Sequence, residues 1–149
     1  MKRFVILAVL SAALLSVTFA AAAFTDDKPV DFDRLPAAAQ NFIKTYFSGE
    51  KLSYATVDDD FIRPDYHAVL ANGVKLQFNH DGSLEKIEVR EGDIPEGIIP
   101  VQLEEAVKGR YPDASIKEYE VGKRTYDVKL SNRLELKFTK NLNLIEIDD

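Results

Sequence analysis

One pattern occurs twice in this chain. Tyr66-x-x-x-Leu70-x-Asn72-x-x-x-Leu76-x-Phe78 returns sixty positions later as Tyr126-x-x-x-Leu130-x-Asn132-x-x-x-Leu136-x-Phe138. Leu35-Pro36 opens the first copy and Ile99-Pro100 the second. A repeated unit constrains architecture more than any single motif, because both copies must present the same apolar face to a core.

Each copy reads as a helix followed by strands. In the first, Pro36 suits the start of a helix, where a missing N–H is no loss. Ala39, Phe42, Ile43 and Tyr46 then form one apolar stripe at i, i+3, i+4, i+7. Gly49 is placed to end it in a left-handed conformation. The second copy has Pro100, then Leu103, Ala106, Val107 and Tyr111, with Pro112 as the stop. The helix starts are offset by 64 residues and the strands by 60, so the second connector is four residues shorter.

Past the helices the period changes to two. Tyr66, Ala68 and Leu70 alternate with His67 and Val69, and Tyr126, Val128 and Leu130 with Asp127 and Lys129. Such alternation marks strands with one buried and one wet face. Asn72-Gly73 predicts a tight hairpin of type I′, with positive φ at both central residues. Val74, Leu76 and Phe78 should then face the core, as should Leu134, Leu136 and Phe138, with Lys75, Gln77, Glu135 and Lys137 outward. In the second copy the turn reads Asn132-Arg133, which implies strain or a different turn. Leu84 and Ile87, matched by Leu144 and Ile147, break the phase and suggest a β-bulge or a strand switching faces. Earlier strands are expected at about 52–57 and 116–121. Residues 24–32 read as a mobile leader and 92–100 as the linker between copies.

The expected fold is therefore α+β: two tandem helix-plus-four-strand repeats, at about 33–92 and 97–149, forming one antiparallel sheet of roughly eight strands. Both helices would cover one face, and the other would be open to water. A unit of about 55 residues is small to stand alone, which argues for a single domain over 24–149.

Residues 1–23 have the form of a secretory signal. Lys2 and Arg3 form the charged start, Phe4 to Leu15 the apolar stretch, and Ala20 to Ala23 a small-residue cleavage region. The expected location is periplasmic or secreted. That leader holds two of the 19 basic residues and no acidic one, leaving 17 basic and 25 acidic residues, a net charge of −8. This balance disfavours nucleic acid and, after cleavage, anionic membrane as partners. The chain has no cysteine and two histidines, which removes disulfides, thiolate metal sites and cysteine nucleophiles. No cofactor-binding motif is present.

Candidate chemistry is sparse. His67 should point outward from a strand and His80 should lie in a turn, in separate elements. Asp58-Asp59-Asp60 is an acidic cluster that could offer oxygen ligands to a cation, although consecutive side chains diverge and a solvated loop is the simpler reading. Asn79-x-Asp81-Gly82-Ser83-x-Glu85 echoes the start of a calcium loop, but its twelfth position is Arg90. No nucleophile elbow or phosphate loop occurs. No catalytic residue is expected.

Tyr66-His67-Ala68-Val69-Leu70-Ala71-Asn72-Gly73, Leu76-Gln77-Phe78-Asn79-His80-Asp81-Gly82 and the second-copy run from Tyr126 to Phe138 resemble the PepSY-like periplasmic proteins of Bacteroidetes. That family is similar in fold to the β-lactamase-inhibitory protein, a tandem repeat of helix plus four-stranded sheet. The resemblance implies a non-enzymatic binding module that inhibits or modulates an extracytoplasmic enzyme. On a sheet with one open face, an unknown protein partner would meet His67, Val69, Lys75 and Gln77 of the first copy, and Asp127, Lys129, Glu135 and Lys137 of the second. A small-ligand or cation-binding protein is the alternative.

Overall fold

The computed structural model describes residues 27–58 and 60–149. The segment 1–23, expected to be a secretory signal, and Asp59 lie outside these residues. The architecture is α+β, one nine-stranded antiparallel sheet and two helices. The strands are β1 (Lys28–Pro29), β2 (Leu52–Val57), β3 (Tyr66–Leu70), β4 (Lys75–Phe78) and β5 (Leu84–Glu88), then β6 (Ile116–Val121), β7 (Thr125–Leu130), β8 (Glu135–Thr139) and β9 (Leu144–Asp148). They lie in the sheet in sequence order, each beside its predecessor. Helix α1 (Ala37–Tyr46) precedes β2 and α2 (Val101–Arg110) precedes β6.

Two expectations need correction. The segment 24–32 is no loose leader where it is described: Lys28 and Pro29 pair with Val57 and Thr56, adding a ninth strand. Such a short pairing has no periodicity to announce it. The hairpin at Asn72-Gly73 is not type I′ either, since Gly73 alone of the pair has positive φ, at 85°. The Gly73 N–H donates to the Leu70 carbonyl and the Leu70 N–H to Val74, while the Asn72 side chain accepts from the Val74 N–H. This is a three-residue loop closed by a residue in the left-handed region. The second turn has the same bonds, from Arg133 to Leu130, from Leu130 to Leu134 and from Leu134 to the Asn132 side chain. Arg133 therefore sits at φ 75°, strain that glycine would avoid.

The helices start at their prolines. Pro36 and Pro100 stand one residue before each first turn, and their carbonyls accept from Gln40 and from Leu103 and Glu104. Gly49, at φ 93°, turns the chain three residues after α1 ends. Buried residues of α1 (Ala39, Ile43) and α2 (Leu103, Val107) join the strand side chains in one core cluster. Through that core runs a cross-strand row, Ala55–Ala68–Leu76–Ile87, continued by Tyr119–Val128–Leu136–Ile147. All but the last are buried. The predicted bulges appear where Leu84 and Leu144 pair with Phe78 and Phe138. None of the described helices is long and apolar enough to cross a membrane.

Tyr119, at the centre of that row, is 3% exposed, and burial pushes its hydroxyl from 10.0 up to about 12. Folding thus favours the neutral phenol. The stability it contributes is complete below the unfolded value and is lost as pH rises through the folded one. Between pH 10 and about 12, the wild type should lose about 2–3 kcal/mol more than Tyr119→Phe, read from urea midpoints across that range.

Candidate functional site

Alternation puts every second strand residue on the face opposite the core. Those residues form two further rows. One runs Thr56–His67–Gln77–Lys86 and continues Glu120–Asp127–Lys137–Glu146. The other runs Tyr54–Val69–Lys75–Glu88 and continues Glu118–Lys129–Glu135–Asp148. All eight residues expected outward on the sheet lie in these rows. The chemistry of the junction, Lys86 and Glu88 on β5 with Glu118 and Glu120 on β6, was not anticipated. Its cue was the charge alternation in Glu85-Lys86-Ile87-Glu88 and Lys117-Glu118-Tyr119-Glu120.

The face is charged and mixed rather than apolar. Lys75 Nζ donates to both carboxylate oxygens of Glu88 at 3.1 Å. Lys86 lies 2.5 Å from Glu118 and 3.6 Å from Glu120, across the β5–β6 junction. Lys129 contacts Glu135 at 2.5 Å, while Lys137 reaches Glu146 at 2.7 Å and Asp127 at 3.7 Å. Burial alone would lower the Lys86 ammonium, but Glu118 and then Glu120 hold it above its ordinary value. Hydrogen bonds from Lys129 and Lys137 draw Glu135 and Glu146 below the usual carboxylate range. Burial, then the charge of Asp65, raises the Glu85 carboxyl against a hydrogen bond from Gln77.

Among the depressions that the described residues form, two lie over these rows. The first, of about 400 Å³, is lined by Tyr54, His67, Val69, Lys75, Gln77 and Glu88 among others. The second, of about 630 Å³, is lined on the β6–β9 side by six carboxylates against three lysines. Lys86 borders both. The open face is therefore near charge balance at one end and acidic at the other.

The remaining candidates stand elsewhere. His80 is exposed in the β4–β5 turn, and its charge and that of His67 both bear on Asp65, whose carboxyl is raised by burial and by Asp58. In the β2–β3 connector, Asp58 Oδ1 accepts from the backbone of Asp65 at 2.9 Å, and Asp60 Oδ1 from that of Ile62 at 3.0 Å. These carboxylates brace the loop and leave Phe61 and Ile62 at 98% and 85% exposure. Among the described residues no group of three His, Asp or Glu is arranged to hold a metal ion. Asp81, in the calcium-loop echo, accepts from the Ser83 N–H and hydroxyl, as a turn requires.

Comparison with known proteins agrees with this geometry. A family model described as "Putative beta-lactamase-inhibitor-like, PepSY-like" matches residues 64–146. A "putative calcium-regulated periplasmic protein" from Bacteroides thetaiotaomicron is 40% identical with a TM-score of 0.78, over 83% of this chain and 98% of that one. A "putative periplasmic protein" of the DUF2874 family from Bacteroides vulgatus is 36% identical with a TM-score of 0.79, over the same shares. A second Bacteroides vulgatus periplasmic protein, of unknown function, is 27% identical with a TM-score of 0.77, over 83% and 99%. No curated protein shows significant similarity. With a family match over more than half its length and a 40% identical relative along most of it, the chain belongs to the PepSY-like family of periplasmic proteins.

Proposed function

We propose that the chain is a non-enzymatic binding module of the periplasm that modulates an extracytoplasmic enzyme. It would do so through the outer sheet face and the hairpin tips beside it. In this reading the chain is one domain of two tandem helix-plus-four-strand units, with both helices over the buried face. The matching bulges, turns and register of β2–β5 and β6–β9 support it.

The observation that carries the function is the continuity of the open face across both halves, ending in the depression with six carboxylates against three lysines. Tyr54, at the β2 end, is the one tyrosine or phenylalanine in these two rows, so recognition along the rest of this mixed, ion-paired surface would rest on charge, with a basic partner and strong salt dependence. Glu120→Lys with Asp127→Lys reverses charge in one row without touching the core. A partner retained from periplasmic extract at low salt should be released at high salt and absent with the double variant. Equal retention by both proteins, with circular dichroism showing both folded, would sink the reading.

A second reading, cation binding, is favoured by the description of the 40% identical relative as calcium-regulated. It would place the ion at Asp58, Asp59 and Asp60. Titration calorimetry with Ca²⁺ should then give heat that Asp58→Asn with Asp60→Asn abolishes, and a flat trace from the wild type would dispose of it.

A further inference from the structure

β5 and β9 are built alike but end differently. β5 joins β4 through Leu76–Ile87 and Gln77–Lys86, and β9 joins β8 through Leu136–Ile147 and Lys137–Glu146. The far edge of β5 is taken by β6, which sets Tyr119 against Ile87 and Glu120 against Lys86. Ile87 is 0% exposed as a result. Among the described residues no strand takes the far edge of β9, and Ile147, in the same cross-strand row, is 50% exposed.

The two sheet edges are not equally open. β1 is two residues long and one of them is Pro29, which has no N–H to offer a neighbour. β9 offers five residues with an apolar side chain on the core side, the usual template for strand addition. Charge identifies the occupant. β5 shows Lys86 to the carboxylates of β6, whereas β9 shows Glu146 and Asp148 on the same outer face. A second copy paired edge to edge with Ile147 against Ile147 would set Glu146 against Asp148, carboxylate on carboxylate.

We propose that the free edge of β9 accepts an extended strand from a basic protein partner, with an aromatic or branched apolar residue facing Ile147 and lysine or arginine facing Glu146 and Asp148. The edge site shares Glu146 and Asp148 with the open face, but its backbone pairing and its contact at Ile147 do not depend on that reading, and either can fail alone.

The probe is an acetylated, amidated peptide copying Ile116–Val121 with both glutamates made lysine, titrated into the ¹⁵N-labelled chain. Saturable shifts should centre on β9, with slowed amide exchange there. Ile147→Lys, which leaves the outer face untouched, should weaken binding about tenfold or more. Glu146→Lys with Asp148→Lys should transfer preference to the unaltered acidic β6 peptide. The proposal is overturned by no shifts at millimolar peptide, or by shifts on the outer rows that Ile147→Lys does not change. It is also overturned by a dimer in sedimentation that Ile147→Lys dissolves, which would make a second copy the occupant.

Discussion

Phe78→Ala should lose about 3–5 kcal/mol of folding stability. Phe78 is 0% exposed and pairs with Tyr66 and Leu84 on its two sides. Its ring meets Phe42 of α1 edge-on, with centroids 5.6 Å apart. Truncation removes the apolar transfer of the ring, leaves a cavity at the seam of helix and sheet, and breaks an aromatic contact. Phe138, at 1% exposure in β8, has no aromatic contact of that kind among the described residues. Phe138→Ala should cost less than Phe78→Ala by the aromatic contribution, about 0.5–1.5 kcal/mol. Urea midpoints at unchanged slope measure both. A loss below about 2 kcal/mol at Phe78 would show that the helix closes onto the gap.

Much of the sheet was legible because strand facing is a local property. Once Ala68 and Leu76 point inward, His67, Val69, Lys75 and Gln77 must point outward, and the structure has them so. Bulges were legible from the odd spacing of Leu84 and Ile87. What escaped was set by partners distant in sequence. Tyr54 is exposed on the outer face while Tyr119 is buried, and nothing local to either tyrosine distinguishes them. Their phase is set by bulges after Leu52 and Ile116, which put Ala55 and Tyr119 in the core row. The ionic character of the open face depends on β5 and β6 becoming neighbours across the turn-rich connection at 89–100 and the whole of α2. The charges at Lys86 and Glu120 were visible, but not their meeting. β1 is shorter still than any period that could reveal it.

Gly82→Leu should be the other severe substitution, at about 3 kcal/mol or more, although leucine is the residue the second half uses at the same turn position. Both turns close alike. Gly82 donates to the Asn79 carbonyl and Leu142 to Thr139, while Asn79 and Thr139 donate to Ser83 and Asn143. Both positions have positive φ, 85° and 64°. Backbone strain for a leucine is of order 1–2 kcal/mol and applies to each. The surroundings decide the difference. A Cβ on Gly82 would lie 2.8 Å from Pro36 Cβ and 2.9 Å from the Ala39 backbone nitrogen, so α1 itself would have to move. Displacing a packed helix adds about 1–3 kcal/mol. Leu142 instead packs its side chain against the core. Leu142→Gly exchanges that half-buried contact for relief of strain, so its net change should stay within about 1 kcal/mol. Thermal and urea unfolding of the two reciprocal variants makes the comparison. If Gly82→Leu proved as mild as Leu142→Gly, the close approach of α1 to the β4–β5 turn would be wrong, whatever the φ values.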